Sequence, residues 1–175
     1  MSKVVLITGA SSGIGKSIAT FLSEKGYKVY GTSRSSKNSN DFSFNLIALD
    51  VLKVDTINKA VKLIVDKEGR LDVLVNNAGM GITGPIEDTP TEEMRAVFNT
   101  NLFGAIDVMK AVLPQMRKQN SGTIINVTSI AGYMGLPFRG LYSATKGALE
   151  TVTEAASMEV KNFGINVVNV APGDF

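Results

Sequence analysis

Tyr142 and Lys146 stand four residues apart, and Ser129 lies thirteen residues before the tyrosine. On a helix, a spacing of four puts two side chains on one face. A free phenol loses its proton near pH ~10 and is a poor base in neutral water. Phenolate must gain about 4 kcal/mol to form near pH ~7, and an ammonium ~4 Å away supplies about that at an effective dielectric of ~20. Such a pair can move a proton to or from an oxygen. A hydroxyl such as that of Ser129 can donate to a carbonyl oxygen as negative charge develops there. The chain has no cysteine and no histidine. Imidazole bases, thiolate nucleophiles, disulfides and histidine or thiolate metal sites are therefore excluded. Acid–base work falls to Tyr, Lys, Ser, Asp and Glu.

A second constellation lies near the start. An apolar run is followed by Thr8-Gly9-Ala10-Ser11-Ser12-Gly13-Ile14-Gly15-Lys16-Ser17 and then by a helical pattern. Glycines let a backbone turn sharply and approach a diphosphate, and the following helix N-terminus offers free N–H groups. Two phosphate motifs almost fit. The Walker A pattern has Ala10 where its leading glycine belongs, and GxGxxG from Gly13 and Gly15 has Ile18 for its third glycine. Thr-Gly-x-x-x-Gly-x-Gly, using Gly9, Gly13 and Gly15, fits without substitution. Past the second apolar run stand Ser33 and Arg34. An acidic residue there would bond a ribose 2′-hydroxyl, whereas a hydroxyl and a guanidinium suit a 2′-phosphate, which favours NADP(H) over NAD(H). The bland alternatives are a ligand-free glycine turn and a solvated arginine.

These residues need a scaffold. Short runs rich in Val, Ile and Leu occupy 4–8, 28–31, 45–49, 73–76, 123–128 and 166–170. Near-continuous apolar runs are the pattern of strands covered on both faces. Helical patterns fill 14–25, 55–68, 90–118 and 141–162. The alternation predicts an α/β fold with a doubly wound parallel sheet of order 3-2-1-4-5-6. Polar residues 33–41 form a loop after the second strand, and Gly- and Pro-rich residues 79–90 form another. Thr89 is expected to cap the next helix, with Pro90 first and Glu92 closing a capping box.

With 175 residues, 44% hydrophobic and 19% charged, the chain suits a single globular domain over 1–175. Its net charge of +2 gives no case for nucleic acid or an anionic membrane as partner. The run Val4-Val5-Leu6-Ile7 is too short for a signal peptide core or a membrane span, so a cytoplasmic location is expected.

Further residues complete an ordered set. They are Asn76-Asn77-Ala78-Gly79 after the fourth strand, Asn101 inside a helical pattern, Ser129, Tyr142-Ser143-Ala144-Thr145-Lys146, and Pro172-Gly173. With the glycine motif at 8–15, this set resembles the short-chain dehydrogenase/reductase family over essentially the whole chain. The resemblance implies a Rossmann-type fold and an NADP(H)-dependent oxidoreductase exchanging a hydride between nicotinamide and a carbonyl or secondary alcohol. It implies Asn101, Ser129, Tyr142 and Lys146 as the catalytic residues, with Tyr142 as acid and base. Thr8, Gly9, Ser11, Ser12, Gly13, Ile14 and Gly15 would hold the diphosphate side, and Asp50 with Val51 the adenine. Asn77, Ala78 and Gly79 would line the ribose, and Pro172 and Gly173 would flank the nicotinamide, with Tyr142 and Lys146 also touching the cofactor. Asn101 would interrupt regular helix bonding and hold a water on a proton path to Lys146.

Each position keeps a plainer alternative: a turn-forming Ser129, a helix-initiating Asp50, a solvated Asn101. The family continues past its Pro-Gly pair with a substrate loop and another strand, and neither lies in this sequence, which ends at Phe175. The expectation is a site lacking much of its lid, with weak turnover. The apolar stretch 132–138 suggests a lipophilic alcohol or ketone. The resemblance further implies a homodimer or homotetramer through the long helices, where Ala144, Ala148, Ala155 and Ala156 would permit close packing. Two rival classes remain: a non-catalytic dinucleotide-sensing or protein-interaction module on the same fold, and a P-loop nucleotidase, which Ala10 disfavours.

Overall fold

A computed structural model describes residues 2–35 and 42–173. Six parallel strands form one sheet of order β3-β2-β1-β4-β5-β6: β1 (Val4–Ile7), β2 (Lys28–Ser33), β3 (Asn45–Ala48), β4 (Val73–Asn76), β5 (Gly122–Val127) and β6 (Ile165–Val170). The helices between them are α1 (Gly13–Glu24), α2 (Val54–Glu68), α3 (Thr91–Phe98), α4 (Gly104–Gln119) and α5 (Gly140–Val160). This is the doubly wound order read from the sequence. Residues 36–41 of the expected polar loop lie outside the described residues.

Successive side chains of a strand point to opposite faces. Val4 and Leu6 accordingly join a core with Leu74, Ile124 and the apolar sides of α2 and α4, and Val5 and Ile7 join another with Val75, Phe44 and Ala19 of α1. That double burial explains why β1 reads as an unbroken apolar run. β6 departs from the pattern. Ile165 and Val167 are buried, but Val168 and Val170 are 45% and 49% exposed. Among the described residues only one of its faces is covered.

The helix expected over 90–118 is broken. α3 ends at Phe98, a π-helical turn spans Asn99–Phe103, and α4 follows. The π-turn falls on Asn99 and Asn101, poor interior helix formers. Gly104 sits where the chain touches the β3–α2 loop, since a Cβ there would lie 2.9 Å from Val51 Cβ. Residues Thr91–Gln119 are together long and apolar enough to cross a bilayer. Val97, Val108, Val112 and Met116 among them are buried within this chain, whereas Phe103 is exposed.

The expected capping box does not form. Pro90, not Thr89, precedes the first helical residue, and no side chain caps α3. The Thr89 hydroxyl donates to the Pro85 carbonyl at 2.7 Å, a local bond that competes with capping. Of the four alanines expected to permit helix packing between subunits, Ala144 and Ala155 are exposed, whereas Ala148 and Ala156 pack on this chain's own core.

Candidate active site

In a parallel sheet the C-terminal ends of all strands share one edge, and a crevice opens where the strand order reverses. Here the reversal lies between β1 and β4. The segments leaving β1, β4, β5 and β6 line two cavities at that edge, of about 680 and 350 Å³, which share Ile14, Asn77, Gly79 and Met80.

The larger cavity begins on the glycine loop, with Gly9, Ser11, Ser12 and Gly13 on its wall. Gly9 and Gly13 adopt φ of +68° and +55°, values open mainly to glycine. Gly15 lies beneath the surface for a different reason: a Cβ there would stand 2.4 Å from both the Gly9 carbonyl oxygen and Asn77 Nδ2. Thr8 is also beneath. Its Oγ1 accepts from the backbone N–H of Asn77 and of Ala78, each at 3.0 Å. Asn77 Nδ2 in turn donates to the Thr8 and Gly9 carbonyls at 3.0 and 3.1 Å. Thr8 and Asn77 thus lock the β1 and β4 loops together, a role their sequence positions did not reveal. α1 starts with no acidic residue in its first turn and no side-chain cap from Ser12, so its first N–H groups remain for an anion.

The far end of this cavity carries Ser33, Arg34, Asp50 and Val51, and Ala78 lines it beside Gly9. Arg34 is exposed, and the Ser33 hydroxyl donates to the Ser35 carbonyl. Asp50 does not start a helix. Lys53 precedes α2, and Asp50 Oδ1 accepts from Leu52 N–H at 3.0 Å in the turn before it. Thr32, which sequence reasoning passed over, is 1% exposed and lines the cavity. Its Oγ1 has no hydrogen-bond partner among the described residues. A buried hydroxyl left so beside a cavity fits a polar ligand there, and the glycine cradle with its free helix N-terminus fits a diphosphate. The residues present therefore suit a pyridine dinucleotide.

The smaller cavity gathers Ser129, Tyr142, Lys146, Pro172 and Gly173. Ser129 follows β5, and its Oγ accepts from Ala131 N–H at 3.2 Å, so it is a turn former whose own proton stays available. The turn it opens packs on α5 by glycine contact: a Cβ on Gly147 would be 2.9 Å from the Gly132 carbonyl oxygen. A glycine directly after Lys146 was the signal for this approach, and it went unread. The Pro172 carbonyl accepts from Ile130 N–H at 3.1 Å, which fixes the segment after β6 beside Ser129.

Lys146 is 6% exposed, and its Nζ donates to the Val127 carbonyl at 2.8 Å and lies 5.8 Å from the centre of the Tyr142 ring. Burial pushes its ammonium down to about 8. Asn101 is 1% exposed and lines neither cavity. Its Oδ1 accepts from Met80 N–H at 2.8 Å, and its Nδ2 donates to Met80 O at 2.9 Å and to Thr145 Oγ1 at 3.2 Å. It is therefore no solvated helix position. Arg139, also unforeseen, lines the same cavity. The apolar stretch 132–138 lines neither one; Tyr133, Met134 and Phe138 are exposed, and Met80 and Ile82 supply apolar wall instead.

A profile of the family described as short chain dehydrogenase matches residues 3–175. A 3-ketodihydrosphingosine reductase of Bacteroides thetaiotaomicron is 49% identical over 173 residues, 99% of this chain and 64% of that protein. The chain thus spans just under two thirds of that relative's length. Among solved structures, ElxO with NADP bound superposes with a TM-score of 0.95 at 37% identity, covering 99% of this chain and 74% of the other. An NAD+-bound xylitol dehydrogenase does so with a TM-score of 0.92 at 32% identity, covering 98% and 70%.

Proposed function

The chain belongs to the short-chain dehydrogenase/reductase family, and on that premise we propose that the protein is an NADP(H)-dependent reductase of ketones, or dehydrogenase of the matching secondary alcohols. The observation that carries this reading is the meeting of Ser129, Tyr142 and Lys146 on one cavity that continues into the glycine-loop cavity. The dinucleotide would be held by the loop from Gly9 to Ile14, by Arg34 at the adenosine end, and by Asn77 to Gly79 between. When bound, its nicotinamide supplies or accepts the hydride. Tyr142 gives the proton to the carbonyl oxygen in reduction and takes it back in oxidation. Ser129 donates a hydrogen bond to that oxygen as charge develops. Lys146, protonated below pH about 8, places a positive charge beside the phenol ring.

Preference for the 2′-phosphorylated cofactor rests on Arg34 and on the absence of an acidic residue at Ser33 or Arg34. It agrees with NADP-bound ElxO, although the xylitol dehydrogenase of the same fold holds NAD+. A lipophilic ketone is the substrate class we favour, from the apolar wall that Met80 and Ile82 give the smaller cavity and from the name of the Bacteroides relative.

The test is NADPH oxidation by the full-length protein against a panel of ketones, repeated with Tyr142→Phe. The variant should keep NADPH binding and lose turnover by about 10²–10⁴-fold, the usual contribution of a positioned acid. Unchanged turnover in the variant would sink the mechanism. NADPH binding with no turnover on any ketone would point to the sensing module instead.

A further inference from the structure

Thr145, within the motif at 142–146, sits between the two helical segments of the site. It is 0% exposed. Its hydroxyl donates to the Tyr142 carbonyl, one turn back on α5, at 2.7 Å. A hydroxyl has a single proton, so toward any other group Thr145 Oγ1 can only accept. The group it meets is Asn101 Nδ2, at 3.2 Å.

Met80 and Thr145 together fix the orientation of the Asn101 amide. With Nδ2 turned toward Thr145 and the Met80 carbonyl, Oδ1 is left for the Met80 N–H. Rotating the amide by half a turn would set its NH2 against the Met80 N–H and its oxygen against the Met80 carbonyl. Both bonds to Met80 would become clashes of like polarity. Met80 belongs to the wall of both cavities. A Cβ on neighbouring Gly79 would stand 3.2 Å from Asn101 Oδ1 and 3.8 Å from Lys146 Nζ, so Asn101, Lys146 and this wall meet at one point.

We propose that Thr145 is a positioning residue of the reaction: through its bond to Asn101 it braces the amide that holds the Met80 wall, and it ties that wall to the helix carrying Tyr142 and Lys146. The proposal rests on the oxidoreductase reading of the site for its kinetic consequence, but not for its structural one. Thr145 touches neither cavity, so it acts only through its neighbours. A group in this place acts on preorganisation, where small displacements of the reacting partners carry large rate effects.

Two substitutions separate hydroxyl from shape. Thr145→Val keeps the branched outline and the helix preference while removing the hydroxyl; Thr145→Ser keeps the hydroxyl. In full-length protein, Thr145→Val should lower kcat for ketone reduction by about 10-fold or more with KM for NADPH within about two-fold, and Thr145→Ser should restore kcat to within about three-fold. The second readout needs no turnover. Hydrogen exchange at the Met80 amide should quicken by about 10-fold or more in Thr145→Val and not in Thr145→Ser. The proposal is overturned if Met80 exchange is the same in wild type and Thr145→Val. It is overturned equally if Thr145→Ser matches Thr145→Val in both measurements, or if NADPH affinity falls in step with kcat, as general loosening would require. Should the wild type reduce no ketone, the proposed function fails and the exchange experiment still decides the role of Thr145.

Discussion

Lys146 carries a stability cost that can be measured without any substrate. Burial takes its ammonium from the ordinary 10.5 to about 8 in the folded chain. At ~1.36 kcal/mol per pKa unit, keeping it charged at neutral pH costs about 3 kcal/mol. Between pH about 8 and about 10.5 the unfolded chain still binds a proton that the folded chain has released. Stability therefore rises with pH across that window, and below it the full cost applies. Lys146→Met removes the titration and keeps most of the side-chain volume. It also leaves the Val127 carbonyl without its donor, a loss of about 1–3 kcal/mol. The two proteins should thus lie within about 2 kcal/mol of each other near neutrality. As pH is raised from about 7 to about 10.5, wild type should gain about 3 kcal/mol on the variant. Urea unfolding of both dinucleotide-free proteins at a series of pH values, each carrying Tyr142→Phe to remove the phenol beside Lys146, measures this, and titrating groups remote from Lys146 cancel in the difference. Parallel stability curves would show that the lysine is not held in a low-dielectric site, and the reasoning about the charge beside Tyr142 would go with it.

Two further predictions concern the cofactor cavity. Arg34→Asp should lower kcat/KM with NADPH by about 10–100-fold, the weight of a hydrogen bond to a charged group, while kcat/KM with NADH holds or rises. An unaltered NADPH/NADH ratio would remove Arg34 from the cofactor site. Gly15→Ala forces a Cβ to within 2.4 Å of the Gly9 carbonyl and Asn77 Nδ2. It should cost about 1–3 kcal/mol in stability and weaken NADPH binding by more than about 10-fold, since the loop that Asn77 ties down must move. Gly13→Ala meets nothing within 4 Å and strains only a φ of +55°, for about 1–2 kcal/mol. Calorimetry with NADPH titration checks both, and equal NADPH affinity in Gly15→Ala and wild type would contradict the packing argument.

Much of this was legible in the chain because it rests on residue type. The apolar runs could be placed because parallel strands are buried on both faces, and β4 was bounded to the residue. The strand order followed from alternation and handedness. What could not be read was governed by competition between local bonds. Thr89 has the side chain of a helix cap, but its hydroxyl is turned to the Pro85 carbonyl and no side chain caps α3. Asn77 looked like a wall of the ribose site; it lines both cavities, yet its amide is spent on the Thr8 and Gly9 carbonyls. Asn101 announced a break in its helix through poor propensity, whereas its partner Met80 lies in a glycine-rich loop with no pattern to mark it. Burial at β6 failed because Val168 and Val170 are apolar without being covered among the described residues.

The same contrast explains how irregular loops can hold reacting groups still. The β1 and β4 loops of the site are held by polar side chains from neighbouring segments. Thr8 clamps the β4 loop, Asn77 clamps the glycine loop, and Asn101 clamps Met80. Beneath them, Asn76 Nδ2 donates to Asn126 Oδ1 across β4 and β5 at 2.9 Å and to the Ala105 carbonyl of α4 at 3.0 Å. Asn126 Nδ2 donates to Thr153 of α5 at 2.8 Å. The Asn76 and Asn126 bonds are buried, and each is expensive to break because the separated partners have no water to turn to. The amides therefore set the register of strands, π-turn and helix α5 more sharply than hydrophobic packing, which has no direction, could do. The proton transfer proposed for Tyr142, with Ser129 and Lys146 beside it, needs donor and acceptor placed to within a fraction of an ångström. A site on loops reaches that precision only if the loops are pinned from below. On this argument the asparagines and threonines under the cavities matter as much to the chemistry as the residues that line them.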